Sequence, residues 1–127
     1  MGIISVSVDD QTVEEMAKIQ KALGLSGRSE LVRAGIRMLS TDMSDKERMR
    51  GTVSCVLTVT HEERDEESVT RIKHRFEDIV KTHLHCKLKK ENCLEIFVIE
   101  GDAAKVADMT KQFQKNEGME HVRLTVT

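Results

Sequence analysis

The N-terminal third of the chain carries more apolar pattern than it can bury. Its opening IISVSV alternates, so that Ile4, Val6 and Val8 share one face and Ile3, Ser5 and Ser7 the other, as in a half-buried strand. Asp9 and Asp10 end that run and can cap a helix from about Gln11 to Leu23, in which Val13, Met16, Ala17 and Leu23 recur at helical spacing before Gly24 stops it. A second helix begins near Ser26 and Gly27, with Glu30 suited to its first turn and Leu31, Val32, Gly35, Ile36 and Leu39 forming an apolar face. One strand and two helices cannot close a core. The strand would leave both edges unpaired, and a unit of about 40 residues buries too little surface to stand alone. A second chain must supply the missing strand.

Two chains that pair such strands form an intertwined ribbon-helix-helix dimer, whose ribbon enters the DNA major groove as other β-sheet readers do. Residues 40–51, STDMSDKERMRG, are polar and close on a glycine, which reads as a linker or a frayed helix end. Beyond them the pattern runs strand (Thr52 to Thr60), helix (about Glu66 to Lys81), strand (His83 to Lys89), strand (Cys93 to Glu100), helix (about Ala103 to Lys115) and strand (His121 to Val126). This βαββαβ order predicts a four-stranded antiparallel sheet with both helices on one face, the ferredoxin-like plan. The fold class is therefore α+β: a ribbon-helix-helix domain over residues 1–45, a linker over 46–51 and a second domain over 52–127.

Charge and composition narrow the function. The net charge is -2, and residues 1–50 balance eight Lys/Arg against eight Asp/Glu, so DNA binding must come from placement and not from bulk charge. With no Trp, no Tyr and three Phe, a role that needs bases stacked on aromatic rings is not expected. No apolar run approaches the roughly 18 residues of a membrane span, and MGIISVSVDD lacks the pattern of a signal peptide, so the expected location is cytoplasmic. Cys55, Cys86 and Cys93 are an odd set, unsuited to a complete disulfide framework and available for packing or metal.

The segment HLHCKLKKENCLE, residues 83–95, concentrates the metal candidates. Parity groups Leu84, Cys86 and Leu88 as an apolar set, sending His83, His85 and Lys87 the other way. In the following strand Leu94, Ile96 and Val98 are taken as the helix-covered set, which puts Cys93, Glu95, Phe97 and Ile99 on the sheet's open side and leaves Cys86 in the core. A tight connection around Lys90 and Glu91 then sets Cys93 across from Lys87 and one diagonal step from His85. His74 lies roughly opposite the centre of the stripe Val69, Ile72, Phe76, Ile79 and Val80, so it could join His85 and Cys93 only from another subunit. Imidazole with thiolate suits nickel, copper or zinc.

Taken together, the strand ending VDD, the RSE opening the second helix, HEERD, the LH at 84–85, NCLE from Asn92 and the EGD turn resemble the nickel-responsive ribbon-helix-helix repressors, the NikR family. The resemblance spans nearly the whole chain. It implies an ACT-like C-terminal domain, a homotetramer built as a dimer of dimers, and a double-stranded DNA partner. It implies nickel held in a plane by His85, Cys93 and a helix histidine, His74, from the facing subunit. Lys87 stands where a second histidine of the family's His-x-His pair is expected. Three accounts of that departure follow: His83 takes the lost ligand's place and binds Ni(II) or another transition metal; the Lys87 ammonium pairs with Cys93 or Glu95 where the cation would sit, and no metal is bound; or water or a small molecule completes a three-ligand site, with Lys87 turned to solvent.

The same resemblance assigns groove-facing positions to Ile3, Ser5 and Ser7 and a phosphate contact to Gly27, Arg28 and Ser29. Serines and an isoleucine give permissive base readout, each lost bidentate contact costing about 1–3 kcal/mol of discrimination. Glu30 resembles an acidic residue near a weaker cation site. An antitoxin-like DNA-binding protein is the rival reading. No nucleophile-base pair, phosphate-cradling glycine loop or paired-acid site appears, so no enzyme is expected.

Overall fold

The structure is a computed structural model describing residues 1–127. It contains two compact units, Met1–Ser44 and Asp45–Thr127.

In the first unit, α1 spans Asp10–Leu23 and α2 spans Arg28–Glu47. Asp9 caps α1 by accepting the Thr12 N–H at 2.8 Å. Gly24 ends it in the left-handed region (φ 65°), where its N–H and that of Leu25 reach carbonyls of the last turn. Ser26 gives both its N–H and its hydroxyl to Glu30 (2.7 and 2.6 Å), which fixes the start of α2 and holds the Glu30 carboxyl below its usual range. Neither helix buries a residue. The expected strand over residues 3–8 is not formed in the single chain: a strand exists through ladder hydrogen bonds, and residues 1–9 have no neighbouring strand to bond. Ile4, Val6, Val8, Val32, Ile36 and Leu39 are left exposed. Helix α2 also continues through Ser40–Glu47, where a linker or frayed end was expected.

The second unit runs β1 (Thr52–Glu62), a 3-10 turn (Glu63–Asp65), α3 (Glu66–Arg75), β2 (Val80–Lys87), β3 (Asn92–Asp102), α4 (Ala103–Lys115) and β4 (Met119–Val126). The strands form one antiparallel sheet in the order β2-β3-β1-β4. Helix α3 stops short of the expected Lys81. Its apolar stripe carries on through Phe76 and Ile79, both buried, but the chain turns there: the Ile79 N–H bonds the Phe76 carbonyl, and the Ile79 carbonyl accepts the Glu100 N–H, handing the backbone to the sheet before His83.

The faces of the sheet differ from the sequence expectation. The helix-covered face consists of Val53, Cys55, Leu57, Val59 and His61 on β1 with Cys93, Glu95, Phe97 and Ile99 on β3, packed against Val69, Ile72, Val106, Met109 and Phe113. Leu84, Cys86, Leu88 and Val98 lie exposed on the other face, so Cys86 is not a core residue. Strand β3 is apolar on both sides, so its own parity could not decide which side is covered. The decision lies in register: Phe97 pairs with Leu57 of β1, whose alternation is unambiguous, and its ring meets Phe113 at 5.5 Å.

Two local features position the end of the sheet that matters below. At the β2-β3 connection Lys90 and Glu91 both have positive φ (58° and 60°), a left-handed turn geometry that glycine and asparagine tolerate best. The Glu91 carbonyl there accepts the Glu63 N–H at 2.8 Å, tying the hairpin to the segment after β1. At the far end, a Cβ on Gly101 would come within 2.5 Å of the Ile79 side chain. Glu91→Gly is expected to stabilise the protein by about 1 kcal/mol, the left-handed penalty relieved, and Gly101→Ala to destabilise it by about 1–3 kcal/mol through overpacking. Urea unfolding monitored by circular dichroism measures both.

Candidate metal centre

Strand register gathers the site. On the covered face His61 of β1, Cys93 of β3 and Lys87 of β2 form one row across the sheet, and Val59, Glu95 and His85 form the next. His83 lies one row further, beside Phe97, with its ring stacked on the phenyl at 4.3 Å. Glu66, the first residue of α3, reaches this end of the sheet from the helix layer.

Glu95 is fully buried and is the hub. One carboxylate oxygen lies 2.7 Å from His61 Nε2 and the other 2.6 Å from His83 Nε2. His61, also fully buried, donates from Nδ1 to the Glu62 carbonyl at 2.6 Å, so both ring nitrogens face acceptors. His85 lies 3.4 Å from Glu66 and 3.7 Å from Glu95. Glu66 Oε2 is buried without a hydrogen bond and sits 3.3 Å from His61 Nε2. Cys93 is a buried free thiol.

The electrostatics follow from that geometry. Burial disfavours a charged His61, but the Glu95 carboxylate and the Glu62 carbonyl outweigh it, and the pKa lies above the ordinary histidine value. Burial likewise disfavours the Glu95 anion, yet hydrogen bonds from His61 and His83 hold its carboxyl below the usual range. Glu66 has no such donors: burial and the neighbouring Glu95 push its pKa up. Burial, then the negative charges of Glu66, Glu63 and Glu95, push the Cys93 thiol up, so a cation is needed to make it a thiolate at neutral pH.

Of the residues expected at a metal, the chain brings His83 and His85 to Glu95, and sets Cys93 in the neighbouring row with His61 and Glu66. They lie on the helix-covered side, not the open side. His74 is elsewhere, with its side chain 80% exposed on α3 and paired with Glu77 at 3.1 Å. Lys87 is bound to Glu63 at 2.9 Å, and not to Cys93 or Glu95. His61 and Glu66 were missed as site residues, and the signal was available: β1 alternation puts His61 in phase with Val59 and Leu57, and a helix starting at Glu66 must begin over that strand end. In the first unit Ile3, Ser5, Ser7, Arg28 and Ser29 are exposed, and Gly27 is partly so.

Residues 50–127 match the family model described as the NikR C-terminal nickel-binding domain. The chain belongs to this family. A protein of Methanothrix thermoacetophila provisionally named nickel-responsive regulator is 32% identical, across 98% of this chain and 91% of that one. A similarly named protein of Haloarcula marismortui is also 32% identical, covering 80% and 75%, and one of Methanothermobacter thermautotrophicus is 27% identical, covering 98% and 91%. An uncharacterised Thermotoga maritima protein, TM1266, shares the fold with a TM-score of 0.55 over 59% of this chain and 96% of that one, at 15% identity. The donors of this NikR-family chain fit a transition ion: His61, Glu66 and Cys93 form one group and Glu66, His85 and Glu95 another, and one buried Glu66 oxygen has no hydrogen bond.

The upward shift of Glu66 has a stability consequence. A carboxyl whose folded pKa exceeds its unfolded value costs nothing below the unfolded pKa and loses stability as pH rises through the folded one. Chelator-treated Glu66→Gln protein is therefore expected to be about 1 kcal/mol more stable than the parent near neutral pH, the amide donating where a carboxylate repels. The two should converge below the ordinary glutamate range, as thermal melts across pH will measure.

Proposed function

We propose that this chain is a DNA-binding transcriptional regulator of the NikR type, not an enzyme, acting in the cytoplasm. Its residues 1–45 pair with those of a second copy as a ribbon-helix-helix domain, residues 46–51 link, and the ACT-like domain over 52–127 takes a transition metal and assembles the homotetramer. The observation that carries the reading is the first unit itself: two well-capped helices and an alternating apolar segment that bury nothing in one chain. A second copy supplies both the missing strand and the missing core. Ile3, Ser5 and Ser7 then face the groove, and Gly27, Arg28 and Ser29 meet a phosphate. The exposed Leu84, Leu88 and Val98 on the uncovered sheet face support assembly through the second domain. No helix is long and apolar enough to cross a membrane.

Two observations weigh against the rivals. Residues 45–127 have their own buried core, unlike a toxin-binding tail that folds only on its partner. The Lys87–Glu63 pair leaves Cys93 and Glu95 free of the lysine, which supports retained metal binding over its loss. Metal binding then shifts the population toward the arrangement in which both ribbon-helix-helix dimers reach half-sites on one DNA.

Selection from a random duplex pool, with the protein chelator-treated or loaded with Ni(II), Co(II) or Zn(II), tests the reading. Enrichment of a symmetric pair of half-sites under at least one condition is expected. Arg28→Ala should weaken binding to all sequences alike and lower the salt-dependence slope by about one per phosphate contact removed. Failure to enrich any sequence in all four states overturns the proposal.

A further inference from the structure

The geometry points to a metal site contained within a single subunit, formed by His61, Glu66, His85, Glu95 and Cys93, for a borderline divalent ion of the zinc or cobalt class. The inference rests on the reading that the second domain takes a transition metal. It departs from the between-subunit ligand set that the family resemblance implies, because it uses neither His74 nor position 87.

Two donor sets overlap at Glu66. His61, Glu66 and Cys93 form one, and Glu66, His85 and Glu95 form the other, with ligand atoms in each within 4.8 Å of one another. An ion with bonds of about 2.0–2.3 Å draws its donors to roughly 3–4 Å apart, so side-chain adjustments of about an ångström complete the shell. Three features show that the set is built and not merely gathered. His61 has its Nδ1–H committed to the Glu62 carbonyl, the arrangement that fixes the tautomer and orientation of a ligating imidazole and presents Nε2. Glu66 Oε2 is a buried acceptor with no hydrogen bond, aimed at that same nitrogen. Glu95 has no access to water, and His83, stacked on Phe97, holds one of its oxygens while the other faces His61 and His85.

His83 is thereby a positioning residue that orients Glu95, not the replacement ligand. Lys87 is kept at the rim by Glu63, where its charge does not fill the site. The charge balance also favours a divalent ion. Two carboxylates and a thiolate leave the neutral-imidazole cluster strongly anionic, a state that buried groups reach only with a cation among them. On loading, the ion displaces the Cys93 thiol proton, the proton on His61 Nε2 and any proton held by Glu66, all of which leave to solvent. Zinc and cobalt accept imidazole, carboxylate and thiolate ligands in four-coordinate geometry and expand to five, which the five donors here allow.

Co(II) titration of the chelator-treated full chain tests this. The expected result is one Co(II) per chain, with the visible absorption of four- or five-coordinate cobalt and a near-ultraviolet thiolate-to-cobalt band that Cys93→Ser removes. His61→Ala and Glu66→Gln should each weaken cobalt at least tenfold. His74→Ala should bind as the parent does, and because His74 is solvent-facing this arm does not depend on a fragile variant folding. Loss of cobalt in His74→Ala, parental binding in both His61→Ala and Glu66→Gln, or no cobalt uptake by the parent each overturns the inference. In the first two cases the metal-taking regulator still stands; in the third, DNA selection with chelator-treated protein reports on the regulator separately.

Discussion

A carboxylate without access to water organises the C-terminal unit. Glu95 is tolerated there because two imidazoles meet its two oxygens, and those imidazoles arrive from different strands, His61 on β1 and His83 on β2. The pairing is demanding. A slip of one residue in either ladder would turn Glu95 or its partners to the opposite face and strand a charge in the core. Register, polar satisfaction and the clustering of metal-binding groups are therefore one constraint seen three ways. The hairpin at Lys90 and Glu91 accepts two left-handed residues in keeping that register, and its backbone also holds Glu63, which in turn draws Lys87 to the rim.

The cluster has two electrostatic regimes. Without a metal its cations are protons: His61 carries one above the ordinary histidine range, and Glu66, lacking a donor, is pushed toward its neutral form. In the proposed metal-bound state the same oxygens and nitrogens serve as ligands, and the Glu66 oxygen that has no hydrogen bond gains a role. A residue that costs stability in one state and binds an ion in the other couples ligand to fold, because whatever binds the native state alone stabilises it by mass action.

The N-terminal unit presents the opposite situation. Its local signals are strong: Asp9, Gly24 and the Ser26–Glu30 contact define both helices with side chains and caps from within a few residues. Yet no residue of either helix is buried. Local propensity can set where a helix starts and stops, but burial requires a second surface, and this unit contains none.

The element order of the second unit, the capped ends of α1, the span of α4 and the pairing of Cys93 with Lys87 were all legible in the sequence. They depend on periodicity, capping chemistry and hairpin length, which act between residues close along the chain. The covered side of the sheet was not legible from β3, because Leu94, Ile96 and Val98 are as apolar as Phe97 and Ile99, and alternation says which residues travel together without saying which way they face. Only packing decided it: the larger set that matched Leu57 across the ladder and Phe113 on α4 went inside, taking Cys93 and Glu95 with it. That choice, which no local signal in β3 encodes, placed His61 and Glu66 beside residues some 30 positions away and turned scattered donors into one site.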